Sequence, residues 1–212
     1  MRATVEAMEE NPESAASGLR ERKKRRTRSA IEDAALALFA EKGYDSTTVE
    51  EIAAAADISP RTFFHYFASK EDVVLADYSA RLDRIVEVLA GRPDGETPMA
   101  AVRAAFLTVA ADYESQRSRL LPRFAVMADS PAVQARSLHL QSGWEDTVAR
   151  VVADQIGVDP DDDARPRLLA GCALAAMRSS LRRWLATGGR VDLPDLVAGC
   201  FDLLAAGLDG PR

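Results

Sequence analysis

Arg61, Thr62, His65 and Tyr66 bring a guanidinium, a hydroxyl, an imidazole and a phenol together directly after Ser59-Pro60. These are groups that contact phosphates and base edges. Ser59 has the side chain of a helix N-cap, and Pro60 at the first helical position forfeits no hydrogen bond. Helical spacing turns Phe63 and Phe67 inward and leaves Arg61, Thr62, His65 and Tyr66 on the open side. Upstream, Thr48 and Glu51 have the spacing of a capping box, with Val49, Ile52 and Ala53 on one face of the helix they start. Two short capped helices separated by a break at Asp57-Ile58 are the pattern of a helix-turn-helix, whose second helix enters the major groove of DNA.

Each side chain has a role within that pattern. Ser59, Arg61 and Thr62 lie at the leading end of the recognition helix, within reach of base edges, and Arg61 is suited to read guanine in bidentate fashion. Thr48, at a helix start, offers its hydroxyl and nearby N–H groups to phosphate. His65, Tyr66 and Lys70 are placed for the sugar-phosphate backbone.

Catalytic chemistry does not assemble. His65 and His139 are the two histidines, and the sequence has no CxxC or HExxH spacing and no glycine-rich phosphate loop after a strand. Asp159, Asp161 and Asp163 alternate as in a calcium loop, but Ala164 stands where such a loop needs glycine and no glutamate closes it. No cofactor or metal is expected. A small helical enzyme is the remote alternative.

The net charge of −6 argues against general affinity for nucleic acid, yet its distribution reverses the argument locally. Arg20, Arg22, Lys23, Lys24, Arg25, Arg26 and Arg28 face the single acid Glu21. An acidic chain with one dense basic segment has a local polyanion site. Residues 1–26 read as a flexible basic arm, with Arg25, Arg26 and Arg28 following the DNA backbone or entering a minor groove. No apolar run approaches the ~20 residues that span a bilayer, and an acidic, polar start is not a secretory signal. Cys172 and Cys200 make no disulfide framework. A cytoplasmic location follows from these readings.

The positioning elements are helical throughout. Ile31, Ala34, Ala35, Leu38 and Phe39 form an amphipathic stripe from about Thr27, stopped by Gly43. Ser69 caps a longer helix to about Ala90. Thr97-Pro98 and Ser130-Pro131 each start another, and a short helix lies between Pro122 and Pro131. Two more run from about Pro166 to Ala186 and from Leu193 to Leu208. No segment alternates with period two, so the prediction is an all-α protein of about nine helices. A DNA-binding domain would span 27–68 and a second domain 69–212.

Gly43-Tyr44, Thr47-Thr48-Val49, Ile52-Ala53, Ser59, Thr62-Phe63-Phe64-His65-Tyr66-Phe67 and Ser69-Lys70-Glu71 together resemble the TetR family of bacterial regulators over residues 27–75. The resemblance implies a homodimer in the bacterial nucleoid that binds a palindromic operator and releases it when a small molecule enters the second domain. Asp57 stands where the family usually has glycine; aspartate tolerates the left-handed backbone better than most residues. Phe64 replaces a common tyrosine, keeping the ring for a thymine methyl and losing the hydroxyl for phosphate.

In the second domain, Met99, Phe106, Tyr113, Phe124, Met127 and Trp144 are apolar candidates for a cavity lining, with ordinary core packing as the competing role. Arg119, Arg123 and His139 are candidates for an anion anchor at its mouth, which suggests an acidic or acyl-type effector with its chain in the cavity and its charge met by Arg119 or Arg123. The last two helices carry small residues, including Ala170, Gly171, Ala198 and Gly199, that permit close helix approach, so they are the expected dimer surface. A constitutive DNA-binding regulator with no ligand is the alternative.

Overall fold

The computed structural model of the chain describes residues 12–91, 93 and 95–207, with side chains from residue 18 onward. Among these residues there are ten α-helices and no strand: α1 (Pro12–Lys42), α2 (Val49–Ala55), α3 (Pro60–Tyr66), α4 (Lys70–Val74), α5 (Tyr78–Ala90), α6 (Pro98–Ser115), α7 (Arg117–Asp129), α8 (Pro131–Ile156), α9 (Arg165–Ala186) and α10 (Leu193–Ala205). The chain divides into two compact units, Met1–Val73 and Val74–Arg212. None of the described helices is long and apolar enough to cross a membrane.

The first unit is built on the predicted stripes. Ile31, Ala35 and Phe39 of α1 are buried with Ile52 and Ala53 of α2 and with Phe63 and Phe67. Burying a phenylalanine fully is worth about 1.5–3 kcal/mol, so Phe63 and Phe67 hold α3 in place through its inner face alone. The capping box closes as the sequence predicts: Glu51 N–H donates to Thr48 Oγ1 (3.2 Å) and Thr48 N–H donates to Glu51 Oε2 (2.8 Å). Ser59 Oγ accepts from Thr62 N–H at 3.1 Å, with Pro60 in the first turn. In the tight turn between these helices, Asp57 has φ 54°, a left-handed conformation that Asp adopts at lower cost than most residues.

One boundary differs from the sequence reading. α1 begins at Pro12 instead of near Thr27, so the described part of the basic segment is helical rather than an irregular arm; residues 1–11 of that arm lie outside the described residues. Residues 18–26 are exposed on every side, so no apolar stripe marks them. Arg, Lys, Glu and Ala are strong helix formers, and this propensity carries the helix where periodicity gives no sign.

The second unit packs α5 to α10 around Phe106, Phe124, Trp184 and Phe201, all nearly without exposure. Trp184 Nε1 and the Leu193 N–H both donate to Glu114 Oε2, at 3.1 and 3.0 Å, which fastens α6 to the turn between α9 and α10. Two elements depart from expectation. The long helix predicted from Ser69 is split into α4 and α5 by a turn at residues 75–77. There Asp77 precedes α5 without capping it, because its carboxylate meets the Arg123 and Arg81 guanidiniums at 3.0 and 3.8 Å. The segment predicted as a short helix between two prolines extends back to Arg117 and holds Pro122 internally. Burial of Leu120, Arg123 and Phe124 outweighs the hydrogen bond that Pro122 cannot make.

Candidate functional site

Two short helices with opposed inner and outer faces define the site. On α3, Phe63 is fully buried, while Arg61, Phe64 and His65 are exposed and Thr62 and Tyr66 are half-buried. Phe64 is 55% exposed, a large apolar surface to leave in water, and its ring meets Phe63 edge-on at 5.5 Å, which fixes its direction. His65 and Tyr66 are likewise edge-to-face at 5.3 Å. Ser59 Oγ and Thr62 Oγ1 lie 2.9 Å apart and share one hydrogen, so one hydroxyl hydrogen stays open to an acceptor. The face therefore presents a guanidinium, an imidazole, a hydroxyl and an aromatic ring on one side of a rigid helix. That set fits phosphate oxygens, base-edge acceptors and thymine methyls.

Three predicted contacts have other duties. Lys70 donates from Nζ to the carbonyls of Tyr44 (2.8 Å) and Thr47 (3.1 Å) and lies 4.2 Å from the Tyr44 ring centroid. It clamps the turn between α1 and α2, a duty the sequence reading did not give it. Arg28 pairs with Glu32 at 3.3 Å and stacks 4.7 Å over the Phe67 ring, so it braces the unit while Arg25 and Arg26 stand open on α1. Thr48 spends its N–H and hydroxyl on Glu51. The carboxylate of Glu51 also pairs with Lys42 and is held near pKa 2, first by the Lys42 hydrogen bond and then by the Thr48 N–H.

The predicted effector residues separate into different places. Tyr113 and Arg119 line a recess of about 300 Å³ together with Asp77, Arg81, Arg84 and Asp112. Phe124 and Met127 line another, of about 370 Å³, with Tyr78, Ser137, Gln141 and Arg178. Phe106 is core, packed 6.3 Å from Phe201, and neither it nor Met99 lines these two recesses. Trp144 stacks on Tyr78 at 4.9 Å, and His139 is exposed outside both. Arg123 is 1% exposed and bonded to Asp77, so it is an interior ion pair and not a cation at a pocket mouth.

Sequence reading missed Arg81. Its guanidinium lies 4.5 Å from the Tyr113 ring centroid, 5.2 Å from that of Phe124 and 5.7 Å from that of Tyr78. Burial pushes the Tyr113 phenol up to about 12 against the opposing pull of Arg81, so it remains a neutral hydroxyl. The Asp77–Arg81 spacing of four was the available signal. The polar set of Tyr78, Ser137 and Gln141 was also missed; it forms between two helices, across 59 and 63 residues of chain, and no spacing within either helix marks it.

Comparison with known proteins agrees with this geometry. The family model described as bacterial regulatory proteins, tetR family, matches residues 31–76, and that described as MftR C-terminal domain matches 96–209. The transcriptional regulator TcmR of Streptomyces glaucescens is 39% identical over 173 residues, covering 79% of this chain and 76% of its own. The regulator MftR of Mycobacterium tuberculosis is 33% identical over 179 residues, covering 84% and 89%. Among solved structures, FadR of Thermus thermophilus, a TetR-family repressor in complex with lauroyl-CoA, superposes with a TM-score of 0.56 at 27% identity, covering 87% of this chain and 96% of that one. With the capped helix pair, its wet recognition face and both family models in agreement, the chain belongs to the TetR family of bacterial transcriptional regulators.

Proposed function

We propose that this regulator is a homodimeric repressor that holds a palindromic operator through α3 and lets go when a small, largely apolar effector of acyl type enters the second unit. The exposed face of α3 carries the reading: Arg61, Phe64 and His65 are in water while the same helix buries Phe63 completely. Arg61 with Ser59 and Thr62 reads base edges, and His65 and Tyr66 hold the backbone. Arg25 and Arg26 on the exposed start of α1 add contacts that follow charge and not sequence. Residues 27–68 are the operator-binding domain and 69–212 the effector and dimer domain.

The outward faces of α9 and α10 support the dimer. Leu168 and Leu203 are 64% and 51% exposed, and a Cβ placed on Gly199 meets nothing within 4 Å. Two such helices from each protomer make a four-helix interface. A twofold axis then sets the recognition helices about 34 Å apart, one turn of DNA. The relative bound to lauroyl-CoA supports the effector class. The effector need only favour a state whose half-sites are wrongly spaced.

The test is gel retardation on duplex DNA from the flanking genome, with lauroyl-CoA titrated in. A complex of two chains per duplex that dissociates with the thioester supports the proposal. Retention unaffected by any acyl compound leaves a constitutive DNA-binding regulator, and no retention of any symmetric site removes the operator reading.

A further inference from the structure

Three recesses on the second unit differ in how their arginines are compensated. The one beside Tyr113 sets Arg81, Arg84 and Arg119 against Asp77 and Asp112. A wider one of about 680 Å³ sets Arg167 against Glu145, Asp161 and Asp162. The third, between α5, α7, α8 and α9, holds Arg178 and Arg182 and has no carboxylate in its lining.

Its polar floor has more donors than acceptors. Tyr78 and Ser137 are 8% and 4% exposed, and their hydroxyl oxygens lie 2.7 Å apart, sharing one hydrogen. Gln141 Nε2 donates toward both oxygens, at 3.4 and 3.2 Å, and Gln141 Oε1 accepts from Arg178 Nη1 at 3.1 Å. Each oxygen of the set is thus already engaged. The Tyr78 hydroxyl also lies 3.9 Å from the Met127 thioether, a weak acceptor. Phe124, Leu181 and Leu185 supply apolar wall. A surplus of N–H and O–H donors, two guanidiniums and an apolar wall complement an oxygen anion on a hydrocarbon body.

We propose that this recess binds a small apolar carboxylate, with the hydrocarbon or aromatic body against Phe124, Leu181 and Leu185 and the carboxylate across Arg178 and Arg182. The inference rests on the effector reading above and gives that effector a place and a head group. It moves the anion anchor from Arg119 and Arg123, where the sequence suggested it, to one face of α9. Guanidinium forks take carboxylates in bidentate geometry, so a charged acid is preferred over an alcohol of equal length.

Isothermal titration of the full chain with decanoate, 2-naphthoate and decan-1-ol tests this. At least one of the two acids binds, and which of them binds identifies the body as chain or ring. The alcohol binds about tenfold more weakly. Arg182→Gln removes the preference for acid over alcohol; Arg182 is exposed, so the variant keeps its fold. Ser137→Ala weakens the acids through the floor. Equal binding of acid and alcohol, unchanged acid binding in both Arg178→Gln and Arg182→Gln, or binding of neither acid overturns the proposal. Release of DNA by the acid that binds, unchanged in both arginine variants, also overturns this site while keeping the effector reading. Arginine-dependent decanoate binding in a protein whose DNA retention no acyl compound alters keeps the recess and removes the effector reading.

Discussion

Replacing Lys70 with methionine separates a structural lysine from a phosphate-binding one. Its Nζ makes two charge-assisted hydrogen bonds, at 2.8 Å to the Tyr44 carbonyl and 3.1 Å to that of Thr47, and sits 4.2 Å from the Tyr44 ring centroid. Hydrogen bonds to a charged group are worth about 1.5–3 kcal/mol each, and an exposed cation–π contact about 0.5–1 kcal/mol. Lys70 is half-buried, so water re-solvates part of what methionine abandons, and the net loss for the first unit is about 2–3 kcal/mol. Both tryptophans, Trp144 and Trp184, lie in the second unit, so their fluorescence does not report this loss. Amide hydrogen exchange of α2 and α3 does, as a fall in protection of about 30- to 150-fold. The dependence of DNA affinity on salt stays unchanged, because no phosphate contact is lost. A variant with wild-type protection whose log–log salt slope falls by about 1.8, about 0.9 for each of the two protomers, would show that Lys70 is a phosphate ligand after all.

Three other perturbations test the remaining parts. Arg123→Met leaves the Asp77 carboxylate without its 3.0 Å partner inside the second unit and costs about 3 kcal/mol, read as an earlier urea transition in tryptophan fluorescence. Asp57→Gly leaves stability within about 0.5 kcal/mol of wild type, whereas Asp57→Val at φ 54° costs at least about 1 kcal/mol in the same exchange assay of α2 and α3. The Glu51 carboxyl, held near pKa 2, lies below its unfolded value of about 4.5, so its contribution is complete above pH 4.5 and disappears as pH falls toward 2. Glu51→Gln therefore removes that portion of the acid sensitivity, and an acid titration of helical circular dichroism that is the same in both proteins refutes the assignment.

What the sequence reveals and what it hides follow from the range of the interactions. Caps are local: Thr48 with Glu51, Ser59 with Thr62 and Thr97 with Ala100 all form as their types and spacing require. The inward turn of Phe63 and Phe67 is equally local, since three- and four-residue spacing fixes which side of a short helix faces its neighbours. The basic start of α1 was hidden because propensity, and not an apolar stripe, makes it helical. The clamp made by Lys70 was hidden because its partners lie 26 and 23 residues away, and an exposed phosphate contact and a half-buried clamp look alike in one dimension. Arg123 was misread for the same reason: its partner Asp77 is 46 residues distant. The floor formed by Tyr78, Ser137 and Gln141 joins α5 to α8, and no periodicity within either helix marks it.

The most direct test is selection of binding sites from a random duplex pool by wild type and by Arg61→Ala, followed by affinities at fixed salt. Wild type should enrich a twofold-symmetric site, and Arg61→Ala should weaken that site by about 1–3 kcal/mol per half-site while leaving affinity for unrelated DNA within about twofold. An Arg61→Ala protein that selects the same site with the same margin over unrelated DNA would mean that α3 does not read the operator.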